Sequence, residues 1–243
     1  MQIQAMISLS LGTLLPALTA MYAQKDWERL RASYLRGCRY ILWLTMLVSC
    51  PVFVYAPELI RLFVGDLYQG AAPVMRMRLL LLPLMQTIGL LSPLTNATAQ
   101  LREFCLATFV SQVIRLGVAI YLVKVLKMGA FGAALSMLLV VGFAIALVFW
   151  PLGLRMAHVT FGQFAREVLA RGLLPMAVAV GGGFLVRGMV LPSSWLGLAA
   201  QGLFCCLLYI ITLGLFCLDR NERGLGLRFW KWLGVTPALG PTP

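Results

Sequence analysis

The sequence has few of the side chains on which enzyme catalysis depends. It contains 8 Asp and Glu residues and 1 His among 243 residues, and only 12% of its residues are charged. No carboxylate falls in the middle of a long apolar run, and we interpret the single histidine, His158, as a solvated loop residue. General acid–base and nucleophilic mechanisms need converging carboxylates or histidines. We therefore predict that the protein is not an enzyme.

Cysteine is also scarce, and its spacing fits neither a metal site nor a disulfide framework. The chain has 6 cysteines, most of them inside apolar runs, and the adjacent Cys205 and Cys206 point to different faces of a helix. Structural zinc sites need paired cysteines or histidines at short, fixed spacings. We predict no metal and no cofactor, and we interpret these cysteines as small apolar side chains.

Apolar residues, in contrast, are present in large excess. They make up 61% of the chain, whereas a typical soluble domain is about 45–50% apolar and about 25% charged. A soluble fold of this size cannot hide so much apolar surface from water. The composition excludes a soluble protein, a disordered chain and a secreted disulfide scaffold.

Seven continuous apolar runs are long enough to cross a bilayer as helices, which takes about 20 residues each. The runs do not alternate between polar and apolar residues, as the strands of a membrane barrel do. We predict an all-α, polytopic membrane helix bundle over residues 1–218 and a cytoplasmic tail over 219–243 with an interfacial segment. The predicted spans lie near residues 1–22, 35–57, 75–99, 104–123, 129–151, 173–191 and 195–218.

The basic residues are distributed unevenly between the two sides of this topology. The net charge is +12, and 13 of the 20 Lys and Arg residues fall after the first, third, fifth and seventh spans. The positive-inside rule places these segments and the carboxyl terminus in the cytoplasm. Membrane topology thus accounts for most of the basic charge, and we predict no nucleic-acid partner.

Two further segments carry expectations of their own. The chain opens inside an apolar run that lacks the features of a signal peptide, so we expect a fragment, or half of a split gene. Residues 160–171 have an apolar face made by Phe161, Phe164 and Val168. We predict that this segment is a helix lying on the cytoplasmic membrane surface.

Polar residues recur at helical spacing in two of the spans. Thr108, Ser111, Gln112 and Arg115 share one face of the fourth span, and Gln86 and Asn96 belong to a stripe on the third. An arginine at the centre of a bilayer costs about 2.5–3.5 kcal/mol on insertion scales, so Arg115 should face the bundle interior or water. We predict a hydrophilic cavity with a positive charge suited to an anionic substrate group. The alternative is that these side chains only join helices together.

Other residues of the spans have simpler interpretations. Arg76, Arg78 and Arg187 lie near the outer interface, where snorkelling explains them, although a ring of charge at an outer opening is the alternative. Glu58 is assigned to an outer loop. Residues 181–183, three glycines in the sixth span, indicate either a hinge or dense packing.

Several short motifs, taken in order, resemble polysaccharide flippases. This family belongs to the superfamily that includes the multidrug and toxin extruders. Residues 15–20 (LPALTA) and the following basic segment resemble a cytoplasmic turn of that family, and residues 57–65 (PELIRLFVG) are similar to its next outer loop. Residues 94–102 (LTNATAQLR) and 129–134 (GAFGAA) resemble the following tight turn and helix start.

The resemblance implies a function, a location and partners. The fold would be one lobe, plus extra helices, of a two-lobed flippase in the bacterial inner membrane, which moves lipid-linked oligosaccharides by alternating access. The implied partners are the lipid-linked oligosaccharide, membrane lipids, an amino-terminal half-transporter and glycan polymerase or ligase proteins. In such proteins cationic cavity residues receive the lipid diphosphate, and Arg115 is our candidate for that role.

Two alternatives remain open at this point. A cation-coupled drug exporter of the same superfamily would depend on carboxylates inside the membrane. A scaffold that recruits glycan enzymes without transporting anything would keep its polar stripes buried and dry.

Overall fold

The computed structural model describes residues 20–97, 101–190, 192 and 194–217. All the regular structure in these ranges is helical. Most of the first predicted span and the whole predicted tail, including its interfacial segment, lie outside the described residues. The helices are α1 (Trp27–Val54), α2 (Ala56–Phe63), α3 (Asp66–Asn96), α4 (Leu101–Val125), α5 (Gly129–Met156), α6 (Phe161–Met189) and α7 (Trp195–Cys217).

Several of these helices contain turns of other kinds. Turns of these kinds are common at the ends of helices and where a proline interrupts the regular pattern of backbone hydrogen bonds. The turns are 3₁₀ at Asp66–Ala71 and Ile88–Leu90, and π at Tyr121–Val125, Ile145–Phe149, Ala165–Ala170 and Leu213–Cys217.

All of these helices except α2 are long and apolar enough to cross a membrane. The prediction of a polytopic helical membrane bundle is therefore confirmed, with six spans in the described part of the chain. α4, α5 and α7 match predicted spans to within a few residues at their starts, whereas α1, α3 and α6 begin earlier than expected.

α1 begins at Trp27 because Asp26 caps it. The Asp26 carboxylate accepts a hydrogen bond from the Arg29 backbone N–H at 3.2 Å, and Glu28 places negative charge in the first turn. Both features stabilise a helix amino terminus. The basic segment that we assigned to a loop is therefore mostly helical, and its Leu30, Tyr34 and Cys38 are buried.

α6 begins at Phe161 because Thr160 and Gln163 form a capping box. Gln163 also accepts a hydrogen bond from Arg31 of α1. Phe164 and Val168 are buried in the core. The prediction that residues 160–171 form a separate surface helix is wrong, because the segment is continuous with the rest of α6 and its Phe164 and Val168 pack inside the bundle, although Phe161 is exposed.

α1 is the central helix of the bundle, with α3, α6 and α7 packed around it. α5 packs on the outer side of α3, and α4 packs mainly on α5. The core is made by α1 residues such as Leu42 and Met46 together with apolar residues of α3, α5 and α6. α4 consequently lies at the edge of the bundle, and its Leu101–Ile120 part has no buried residue.

Candidate functional site: the polar stripe of α4

The four polar residues of α4 lie along one face of a helix whose neighbours, among the described residues, lie mainly on the side of α5. Thr108, Ser111 and Arg115 are half-buried, and Gln112 is exposed. Arg115 is near the middle of the span, so its charge is far from both ends of the helix. The edge position of α4 therefore leaves this stripe open to whatever lies beside the bundle.

The four side chains differ in how their polar atoms are satisfied. The Thr108 hydroxyl donates to the Phe104 carbonyl at 2.8 Å, and the Ser111 hydroxyl donates to the Ala107 carbonyl. Because both hydroxyls are hydrogen-bonded within the helix, placing them in a membrane costs little free energy. Gln112 and Arg115 have no hydrogen-bond or ion-pair partner among the residues that the structure describes. The alternative that Arg115 only joins neighbouring helices has no contact to support it within that part of the chain.

An apolar groove of about 610 Å³ runs between α4 and α5, beside the stripe. Ser111 lies on the wall of the groove, and the other lining residues are apolar. Arg115 is one helical turn further along α4 from Ser111, on the flank of the groove. An apolar channel and a line of polar groups thus run next to each other along this face. The α4 side of the groove is lined by Leu106, Ala107, Val110, Ser111, Ile114 and Val118.

The two predicted residues of α3 are not part of this surface. Gln86 is half-buried, and its Nε2 atom is enclosed without a hydrogen-bond partner among the described residues. Asn96 is exposed near the end of α3. Contacts between α3 and α4 are concentrated at the turn that joins them, because α5 packs against both helices along their length. The structure therefore does not bring the α3 and α4 stripes together into one cavity.

A second polar cluster, which the sequence interpretation missed, lies around Glu58, at the end of the bundle opposite to the α3–α4 turn. Glu58 is only 6% exposed, and its Oε1 atom accepts a hydrogen bond from Arg187 Nε at 2.7 Å. Glu58 Oε2 is buried without a hydrogen-bond partner among the described atoms. Glu58 does lie in the connection between the spans α1 and α3, but this connection contains a helix, α2, which turns the carboxylate inward against α6. The signal in the sequence was an amphipathic segment with Pro57 at its start, which is typical of a helix amino terminus.

Two of the three outer arginines have partners inside the protein. Arg76 donates from Nε to the Phe53 carbonyl at 3.1 Å and from Nη2 to the Val54 carbonyl at 3.2 Å. Its guanidinium also lies over the rings of Phe53 and Phe184. Snorkelling is therefore the wrong explanation for Arg76 and Arg187. They hold the ends of α1 and α2 against α3 and α6.

Two more tethers hold the segment around α2. The Tyr55 hydroxyl donates to the Gly183 carbonyl at 3.3 Å, and Arg61 Nη2 donates to the Pro192 carbonyl at 3.2 Å. Burial raises the pKa of the Tyr55 hydroxyl, which keeps it protonated and able to donate. The polar contacts around Glu58 thus hold α2 against the neighbouring helices and do not form an open site.

The remaining candidates have ordinary structural surroundings. His158 is exposed, as predicted, and its ring lies 4.7 Å from the Trp27 ring, measured between centroids. Among the described residues there is no group of three or more His, Cys, Asp or Glu side chains that could hold a metal ion. Cys38, Cys50, Cys205 and Cys217 are buried free thiols.

Comparisons with known proteins do not assign the chain to a family. No family model matches the chain, and neither a curated protein nor a solved structure is similar enough to match it. The chain is a multi-pass membrane protein by the length and composition of its helices.

Proposed function

We propose that the chain is part of a transporter that flips lipid-linked oligosaccharides across the bacterial inner membrane. The observation that carries this proposal is the half-exposed Arg115 at the centre of α4, without an ion-pair partner among the described residues. A cation at that depth needs water or an anion beside it. The diphosphate of a lipid-linked sugar is an anion that must cross this depth.

The groove between α4 and α5 supports the same proposal. A lipid-linked substrate has an apolar chain and a polar head, which need an apolar and a polar path side by side. The groove and the stripe supply such a pair of surfaces on one helix. A second helical lobe, facing α4 across a hydrated gap, would enclose the stripe on its open side. In this arrangement the carboxyl terminus is cytoplasmic.

The carboxylates of the described residues favour flipping over cation-coupled drug export. Glu58 is the buried one, and it is paired with Arg187 rather than open to a cation. Asp26 caps α1, Glu28, Asp66 and Glu103 lie in the first turns of α1, α3 and α4, and Glu167 lies in the second turn of α6. A cation-coupled exporter would need a carboxylate placed along the transport path.

The proposal is tested by changing the Arg115 codon in the native gene and measuring cell-surface glycan. Arg115→Ala should reduce export about tenfold or more while the protein level is unchanged, because one charge-assisted hydrogen bond is worth about 1.5–3 kcal/mol. Arg115→Lys, which keeps the charge, should retain most of the export. Normal export from Arg115→Ala would contradict the assignment.

A further inference from the structure

Arg78 is an arginine at the Glu58 end of the bundle that lacks an oxygen partner. It is exposed, and its Nη1 atom lies 2.6 Å from the Met137 sulfur. A thioether is only a weak hydrogen-bond acceptor. No carboxylate or carbonyl of the described residues accepts from Arg78. Arg76, two residues earlier, donates to two carbonyls. Arg76 and Arg78 therefore differ in their partners because they occupy different positions around α3.

Arg78 stands on the wall of a second apolar groove, between α3 and α5. This groove has a volume of about 320 Å³. Its other α3 residues include Leu81, and its α5 wall includes Ala130, Ala133 and Ala134, whose short side chains leave the space unfilled. On α3 the lining runs from Val74 to Leu81, which is about 11 Å along a helix axis. The groove therefore runs along α3 to the start of its long apolar run.

The charged residue among those that line the groove is Arg78, and it is positive. Two exposed lysines, Lys124 near the end of α4 and Lys127 in the turn that leads to α5, lie at the same end of the bundle. Arg78 lies just before the long apolar run of α3, where a phosphate at headgroup depth would meet its guanidinium. An apolar slot leading inward from an unsatisfied guanidinium matches a molecule with an anionic head and an apolar chain.

We infer that this groove is a binding site for one anionic phospholipid. The phosphate accepts hydrogen bonds from Arg78, and an acyl chain lies along the alanines of α5. This site is separate from the α4 stripe, because α5 contributes Ala130 and Ala133 to one groove and Phe143 and Leu147 to the other. The inference does not depend on the proposed function.

Native mass spectrometry of the full chain, titrated with phosphatidylglycerol or phosphatidylcholine of identical acyl chains, tests the inference. The unaltered chain should retain one phosphatidylglycerol in preference to phosphatidylcholine. Arg78→Gln should weaken phosphatidylglycerol binding about tenfold and remove the preference, since it deletes a charge-assisted hydrogen bond. Ala133→Leu, at an exposed position of the groove wall, should weaken the binding of both lipids by filling the slot.

Arg61→Gln is the matched control. It removes the same charge from the same end of the bundle, but Arg61 lies on α2 and already donates to the Pro192 carbonyl. It should leave the lipid preference intact. Unchanged phosphatidylglycerol binding in Arg78→Gln would overturn the inference, and so would an equal loss in Arg61→Gln. Unchanged binding in Ala133→Leu would also overturn it, because the acyl chain would then lie elsewhere.

Discussion

Prolines of these helices leave carbonyls without their usual helical donors, and side chains of other helices donate to several of them. Pro175 cannot donate to the Arg171 carbonyl, and Trp43 Nε1 donates to it at 3.3 Å. Pro51 leaves the Leu47 carbonyl in the same situation, and the Cys206 thiol lies 3.7 Å from it. In a bilayer no water satisfies such groups, so these contacts fix which helices can be neighbours.

The Glu58–Arg187 pair is the other contact at residue scale that determines packing. Removing one partner of a buried ion pair costs about 3–5 kcal/mol, because the remaining charge is buried without compensation. We predict that Arg187→Met lowers the free energy of unfolding by about that amount in a denaturing-detergent titration. The same substitution should cost much less in a Glu58→Gln background, where no carboxylate is left unpaired.

Arg61→Met is the control for this measurement. Arg61 donates one hydrogen bond, to the Pro192 carbonyl, but it is exposed and leaves no buried charge unpaired, so its loss should cost about 1 kcal/mol, well below the cost of Arg187→Met. Equal costs for Arg187→Met with and without Glu58 would show that the pair does not stabilise the fold.

The individual partners of these residues could not be predicted from the sequence. The sequence predicted that Arg76 and Arg187 lie near a membrane interface, but it did not indicate their partners within the protein. It could not indicate that Pro57 begins a short helix which turns Glu58 inward. An ion pair between residues 129 positions apart depends on how the helices pack, and the spacing of residues along one helix does not contain that information.

For the helices, the length of the apolar runs predicted which segments form spans, but the residues at which the helices begin were predicted less well. All six spans of the described residues were predicted, because about 20 apolar residues have few other uses. The starts of α1, α3 and α6 were missed because their first turns, which contain charged or polar residues, were assigned to loops or to a surface helix. Asp26 and the Thr160–Gln163 box are ordinary capping signals, and they identify the starts of α1 and α6 correctly.

The surroundings of the three glycines of α6 distinguish between the two interpretations of them, a hinge and dense packing. The helix is continuous across them. A Cβ atom on Gly183 would lie 3.2 Å from Val54 Cγ2 and 3.5 Å from Cys205 Sγ, and one on Gly182 would lie 3.0 Å from Leu208 Cδ2. Gly181, in contrast, has nothing within 4 Å of that position. Dense packing of α6 against α1 and α7 therefore accounts for Gly182 and Gly183.

Leucine substitutions distinguish packing from hinge motion directly. Gly183→Leu should destabilise the protein by about 1–3 kcal/mol or more, because the larger side chain enters a filled contact. Gly181→Leu should be neutral, or stabilising by up to about 1 kcal/mol, through its greater helix propensity. Thermal unfolding in detergent measures both. A loss of stability in Gly181→Leu equal to that in Gly183→Leu would contradict the packing explanation.

In the bundle formed by the described residues, α1 is central and α4 is peripheral. The sequence predicted a stripe on α4 correctly as a feature of one helix, since spacing within a helix determines which residues share a face. It did not predict that α5 would separate this stripe from the one on α3. The order in which helices pack is a property of the bundle, and seven apolar runs are compatible with many such orders.

If the protein is a transporter of this kind, the α4 stripe faces water at membrane depth, and the accessibility of introduced thiols measures this. Gln112 and Val113 are adjacent, both exposed in the bundle, and about 100° apart around the helix. Because the thiolate is the reactive form and ionises only in water, Gln112→Cys should react with a hydrophilic thiol reagent at least about tenfold faster than Val113→Cys. Rates are taken above the background of the unaltered chain, in which Cys105 is exposed. Equal, slow labelling of both variants would show that the stripe is dry and would contradict the transport proposal.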